Sequence, residues 1–181
     1  MTIESNSPTT LTKLAQQAYQ ENRLEDAAEL FKSAHTSYLE SQDALAVAET
    51  ANNLSVVLLK LERSEEALNA VKGTPEIFLE AGDEKSAALA FGNVASALEA
   101  CGKLADAETA LREAAERFRS LDDKEHLLYT QRSLSQLQLR QGRTYEALGS
   151  MQSGLEDQKK LGVKYRILRR LLEIPTRLLN R

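Results

Sequence analysis

The sequence predicts an all-α protein built from repeated helical hairpins, and three observations support this. The most direct is a motif that recurs at an interval of 40 residues with no insertion. The motif is a basic residue followed four positions later by an alanine. The basic residues are at 23, 63, 103 and 143, and the alanines are at 27, 67, 107 and 147. Residues that favour helices dominate the composition, and apolar residues never alternate with polar ones for long, as they would in strands. A fixed period of this length is typical of a solenoid.

The helices follow in order from capping signals and apolar spacing. Ser7 and Pro8 predict the start of the first helix, which ends near Glu21 with Leu11, Leu14, Ala15 and Ala18 on one face. A second helix carrying Ala27, Ala28, Phe31 and Ala34 follows the turn at Asn22. Because each helix is apolar on one stripe only, each needs a neighbouring helix.

The repeat boundaries are marked by aspartates that share the period. Asp43, Asp83 and Asp123 each precede a first helix, where a carboxylate can accept hydrogen bonds from unpaired amides. These marks predict a single domain over residues 1–181, with repeats at about 4–42, 43–82, 83–122 and 123–162. A C-terminal capping helix is expected over 163–180.

Two columns and one irregularity refine the pattern. Leu14, Leu54, Val94 and Leu134 share one register position of the first helices. The small residues Ala15, Ser55, Ala95 and Ser135 share a register position, which predicts close helix contact there. The sequence Lys72-Gly73-Thr74-Pro75 falls inside the second helix of the second repeat, and Pro75 lacks an amide hydrogen. We expect a kink or interruption at 72–75, with Thr74 capping the restart.

These columns resemble the tetratricopeptide repeat (TPR) family. The second repeat, with Ala51-Asn52-Asn53-Leu54-Ser55 followed by Glu65-Glu66-Ala67-Leu68, is similar to the extended repeats of kinesin light chain-type adaptors. The resemblance implies a right-handed α-α superhelix whose first helices line a concave groove for a peptide or partner segment. It does not by itself imply one activity.

The register then predicts which side chains line that groove. Asn52, Asn53 and Asn93 are the most informative, because a side-chain amide can pair with peptide backbone through both a donor and an acceptor. The same amides could instead bond neighbouring helices. The positions expected to bind a partner are Asn52, Asn53, Val56, Lys60, Asn93, Ser96, Arg132, Gln136 and Arg140. Lys60, Arg132 and Arg140 would select acidic ligands.

The charge distribution leaves two alternatives open. Residues 158–181 carry eight basic side chains and one acidic one, a net +7, so the other residues carry −11 of the total −4. The basic patch Lys164, Arg166, Arg169 and Arg170 could target an anionic membrane or nucleic acid. It could also dock against the acidic body of a second copy, which would make a homo-oligomer.

Catalysis, metal binding and cofactors are not expected from this sequence. Its two histidines, His35 and His126, lie far apart in the array, and no glycine-rich phosphate loop is present. The single cysteine, Cys101, offers no zinc spacing. Without a spanning segment or signal-peptide pattern, a cytoplasmic setting is the default expectation.

Overall fold

The computed structural model describes residues 7–156, which form nine α-helices and no strand. The helices are α1 (Pro8–Gln20), α2 (Leu24–Glu40), α3 (Ala44–Lys60), α4 (Ser64–Val71), α5 (Thr74–Glu80), α6 (Glu84–Ala100), α7 (Leu104–Ser120), α8 (Lys124–Arg140) and α9 (Thr144–Glu156). The capping helix expected over 163–180 lies outside the described residues.

The chain divides into two compact units. Unit 1 is Met1–Ala110 and unit 2 is Leu111–Arg181, so the boundary falls within α7. Within unit 1, α2 packs against both α1 and α3, and α6 packs against α3, α4 and α5. Within unit 2, α8 packs against α9.

The predicted helix starts are confirmed by the caps. The Ser7 hydroxyl accepts a hydrogen bond from the Thr10 amide at 3.2 Å, and Pro8 occupies the first turn of α1. Asp43, Asp83 and Asp123 each accept one from the amide three residues later, at 3.1, 2.9 and 3.2 Å. Each cap satisfies an amide that has no partner within its own helix.

The turns that end the helices recur every 20 residues, which is half of the 40-residue period of the sequence. A residue with a left-handed backbone lies in each turn between the hairpin helices, at positions 22, 42, 62, 82, 102, 122 and 142. In the first of these turns the Arg23 amide donates to the Ala18 carbonyl at 2.8 Å, and the Asn22 amide donates to the Tyr19 carbonyl at 3.1 Å. These bonds satisfy carbonyls at the end of the helix. Each helix and its turn therefore occupy 20 residues.

The expected interruption at 72–75 is confirmed, but the predicted role of Thr74 is wrong. Helix α4 ends at Val71, and α5 begins at Thr74 after Gly73, whose φ is +81°. The Thr74 hydroxyl does not cap an amide of α5, since it donates instead to the Val71 carbonyl at 3.0 Å. A left-handed glycine makes the turn, and Pro75 then fits the first turn of α5, where its missing amide hydrogen is not needed.

The small-residue column lies in the core, as predicted. Ala15 and Ser55 are fully buried, and Ala95 is 2% exposed. The prediction for Leu14 is wrong, because this side chain is 42% exposed although Leu54 in the same column is buried. The difference follows from packing: α3 contacts helices from both neighbouring hairpins, whereas α1 packs mainly against α2.

Between residues 7 and 156, every helix is too short or too polar to traverse a lipid bilayer.

Candidate functional site

Two adjoining depressions lie on the first helices of unit 1, and they share Asn53. The first, of about 230 Å³, is lined by Gln16, Tyr19, Gln20, Phe31, Asn53, Val56 and Val57. The second, of about 190 Å³, is lined by Glu49, Asn52, Asn53, Phe78, Ser86, Leu89, Ala90 and Asn93. We call the two depressions together the unit 1 groove.

Helical spacing explains why these residues meet. Glu49, Asn52, Asn53 and Val56 recur at intervals of three and four along α3, so they lie on one face of that helix. Leu89 and Asn93 are four residues apart on α6. The apolar floor comes partly from the second-helix aromatics Phe31 and Phe78, which are 2% and 3% exposed.

Asn52 and Asn93 form a direct side-chain pair. The Asn93 Nδ2 donates to Asn52 Oδ1 at 3.0 Å, and Asn52 Nδ2 donates to the Ala48 carbonyl at 2.9 Å. Asn52 is only 8% exposed. Its amide is therefore engaged with α6 and with its own helix, and these contacts hold Asn93 in a fixed orientation.

Asn53 differs from both. Its side chain is half-buried, lines both depressions, and makes no hydrogen bond to any described residue. An amide that faces a groove without a protein partner is available to a ligand through both its oxygen and its nitrogen.

The remaining predicted residues of unit 1 lie in different surroundings. Val56 lines the first depression, and exposed Lys60 places its Nζ 4.3 Å from the centre of the Tyr19 ring, a cation–π contact. The Ser96 hydroxyl donates to the Gly92 carbonyl of its own helix at 3.0 Å. Binding roles for all of them stay predictions.

Three predicted groove residues belong to unit 2. Arg132, Gln136 and Arg140 are exposed and follow one another at intervals of four on α8, so they share one face of that helix. The basic patch Lys164, Arg166, Arg169 and Arg170 lies outside the described residues.

Several residues that line the groove were not predicted from the sequence. Glu49, Ser86 and Leu89 line the second depression, and Gln20 and Phe31 line the first. Glu49 could have been found, since it lies one helical turn before Asn52 and Asn53. Phe31 could not, because its 40-residue register places it on a second helix, and only packing shows that it reaches the groove.

The histidines and the cysteine of the described residues lie in different surroundings. No three of the His, Cys, Asp and Glu side chains in the described part of the chain are placed to hold a metal ion. His126 bonds Asp123 at 2.9 Å and stacks on Phe118, while partial burial lowers the pKa of His35. Burial, with the nearby Glu65 carboxylate, raises the pKa of the Cys101 thiol, which disfavours the nucleophilic thiolate.

Known structures with the same architecture are numerous, although the sequences are distant. No protein-family model matches the sequence, and no curated protein is similar enough to count as a relative. The apo form of RapI superposes with a TM-score of 0.77 at 18% identity, over 87% of this chain and 57% of that one. Aspartyl phosphate phosphatase F from Bacillus subtilis gives 0.77 at 14% identity, over 92% and 44%. This chain thus spans about half the length of these two proteins.

A third similar structure consists of TPR-like repeats. It is a protein described as a kinesin light chain with nearly identical TPR-like repeats, from Podosopora anserina. It has a TM-score of 0.74 at 16% identity, over 86% of this chain and 77% of that one. Identities this low show the fold alone. Together with the helical hairpins and their 40-residue period, these structural matches confirm the predicted resemblance. The chain has the all-α, tetratricopeptide-like solenoid fold.

Proposed function

We propose that this protein is a non-catalytic scaffold that binds an extended peptide segment of a partner protein across the unit 1 groove. The observation that carries the proposal is Asn53, a half-buried amide with no described partner at the junction of two depressions. Polar groups in folded proteins are normally hydrogen-bonded to protein or to water, so a ligand that displaces water from the groove can take over the hydrogen bonds of Asn53.

The chemistry of Asn53 suits a peptide backbone. Its Oδ1 can accept from a backbone N–H while its Nδ2 donates to a backbone C=O, whatever the ligand's side chains. The apolar floors on either side, built on Val57 and Phe31 in one depression and Phe78 and Ala90 in the other, can each receive a ligand side chain. Backbone pairing would then supply affinity, and the two depressions would supply selectivity.

The charges at the two depressions have opposite signs. Glu49 lines the second depression and has no ion-pair partner among the described residues. Lys60 lies over Tyr19, which lines the first. We therefore expect an acidic ligand residue near the first depression and a basic one near the second. Selection of acidity by Arg132 and Arg140, in unit 2, stays a separate prediction.

The fold is compatible with this function but does not establish it, since one fold supports many activities. What supports a binding role is the resemblance of the second repeat to kinesin light chain-type adaptors and the likeness to a structure described by that name. Asn52 and Asn53 are part of the second-repeat segment that shows this resemblance, and both line the groove.

Selection from a random peptide display library tests the proposal directly. The full chain should enrich peptides that Asn53→Ala no longer retains, because that change removes both hydrogen-bonding atoms. Asn69→Ala is the matched control, since Asn69 is an exposed asparagine of α4 outside the groove. Circular dichroism should show equal helicity in all three proteins. Enriched peptides that bind Asn53→Ala as well as the unaltered chain would reject the groove mechanism.

A further inference from the structure

The fourth repeat carries polar residues where the other repeats carry apolar ones. The columns that contain these residues are Leu11, Ala51, Phe91 and Gln131; Ala18, Leu58, Leu98 and Gln138; and Leu30, Ala70, Ala110 and Ser150. Gln131 is 6% exposed and Gln138 is 1% exposed, so both amides lie in the interior. Three polar replacements in one repeat require a local explanation.

Hydrogen bonding accounts for only part of this polar cluster. The Ser150 hydroxyl donates to Gln138 Oε1 at 2.8 Å, which explains why these two replacements occur together. Gln131 Oε1 is buried and accepts no hydrogen bond. A buried amide oxygen without a donor costs free energy, so a bound group that supplies an N–H donor would stabilise it.

Gln131 is one of the residues that line a cavity large enough for a small molecule. The cavity, of about 310 Å³, lies among α7, α8 and α9 and is lined by Arg112, Ala115, Glu116, Arg119, Gln131, Leu134, Gly149, Ser150 and Ser153. A single water occupies about 30 Å³ in the liquid, and typical ligand pockets start near 300 Å³. The space therefore exceeds what one bridging water needs.

The rim of the cavity favours an anionic group. Two guanidinium groups and one carboxylate line it. Arg119 is oriented by Glu116, which accepts from Nη1 at 3.0 Å, and by the Ser153 hydroxyl, 3.4 Å from Nη2. An arginine has five N–H donors, so Arg119 retains donors beyond these two contacts. A guanidinium group whose orientation is fixed in this way is suited to bind a carboxylate.

From this geometry we propose that the cavity binds a carboxylate that has an N–H donor beside it. The carboxylate accepts from Arg119 and Arg112, and the N–H donates to Gln131 Oε1. This chemistry occurs in a free amino acid and also at the C-terminal residue of a peptide. The site lies within unit 2, so the inference is independent of the peptide proposed for the unit 1 groove.

Titration of the ¹⁵N-labelled full chain, followed by NMR, tests the inference and separates the two sources. The probes are the twenty free amino acids, the dipeptides that pair alanine with each as C-terminal residue, and the same dipeptides as C-terminal amides. We expect saturable shifts of the Gln131 side-chain amide with at least one carboxylate-bearing probe and none with its amide. A response to free amino acids identifies a free ligand, and a response confined to dipeptides identifies a chain terminus.

Two variants make the test specific. Gln131→Leu restores the residue type found at Leu11 and lacks the reporting side chain, so its titration is followed through the backbone amides of Ser150 and Ser153, which line the cavity. This variant should bind the responding probe about tenfold or more weakly, because it removes the acceptor. Arg119→Gln should lower the affinity for that probe by a similar factor. Arg119 is exposed, so this variant does not alter the interior. Asn53→Ala should leave the affinity unchanged. The inference is overturned if no probe gives a saturable shift, if the amides bind equally well, or if Arg119→Gln binds with full affinity.

Discussion

The Asn52–Asn93 pair yields the sharpest stability prediction, through replacement of each asparagine by leucine, which has a similar size. In Asn93→Leu, Asn52 Oδ1 loses the donor that approaches to 3.0 Å. Asn52 is 8% exposed, so little water can replace that donor. In Asn52→Leu the group left behind is the Asn93 amide, which is half-buried and can reach solvent.

The expected magnitudes follow from this asymmetry. An unsatisfied buried acceptor costs about 1–3 kcal/mol, so Asn93→Leu should destabilise the chain by that amount. For a protein of this length that corresponds to a fall of about 2–12 °C in Tm. Asn52→Leu should cost less. The double replacement removes both polar groups together and should be nearly neutral, since an apolar pair of the same shape leaves nothing unsatisfied.

Urea unfolding of the four proteins, followed by far-UV circular dichroism, measures this double-mutant cycle. The coupling free energy should be about 1 kcal/mol or more, as for residues in direct contact. Additive single effects, or an Asn93→Leu protein as stable as the unaltered one, would refute the reasoning. The cycle also shows why Asn93 is a poor choice for testing ligand binding. Replacing Asn93 breaks its hydrogen bond to Asn52, whereas replacing Asn53 breaks no hydrogen bond to a described residue.

Two further changes test the packing and the caps. Gly154→Ala should destabilise unit 2 by about 1–3 kcal/mol in thermal unfolding, because the new Cβ would lie 2.9 Å from Gln131 Cβ. Gly149→Ala, where a Cβ meets nothing within 4 Å, is its control, and equal losses from both would contradict the argument. Asp83→Ala should cost about 1 kcal/mol at neutral pH by removing the cap of α6. The amide of Ser86 lowers the pKa of Asp83 from its ordinary 3.8, so the cap's contribution is present above that value and lost as pH falls through the folded pKa. The gap between the two proteins in urea unfolding should therefore narrow in acid, and a gap independent of pH would contradict this assignment.

The sequence alone predicted the scaffold because its signals are local. A capping aspartate needs only the amide three residues later, and Asp43, Asp83 and Asp123 each find one. The interruption before Pro75 likewise follows from the missing amide hydrogen of proline. Such effects act within one helical turn, so a repeating sequence repeats the same helices and turns.

The groove was predicted only in part. Helical spacing placed Asn52, Asn53 and Val56 on one face of α3, and all three line the depressions. Spacing could not distinguish Asn52 from Asn53, although one amide is bonded to α6 and the other has no described partner. That distinction depends on the distance between two helices about 40 residues apart in the sequence.

The sequence by itself determined the repeat period, the helix boundaries and the fold class, since these depend on contacts within a turn or on a periodic apolar stripe. Tertiary structure alone decided which polar groups remain without a partner. Asn53 at the groove and Gln131 in the interior both carry a side-chain amide on a helix. Asn52 and Gln138 do too, and no local sequence rule predicts that these two are hydrogen-bonded while the Asn53 amide and Gln131 Oε1 are not. The reason is physical: a hydrogen bond between helices needs donor and acceptor within about 3 Å, and only packing sets that separation.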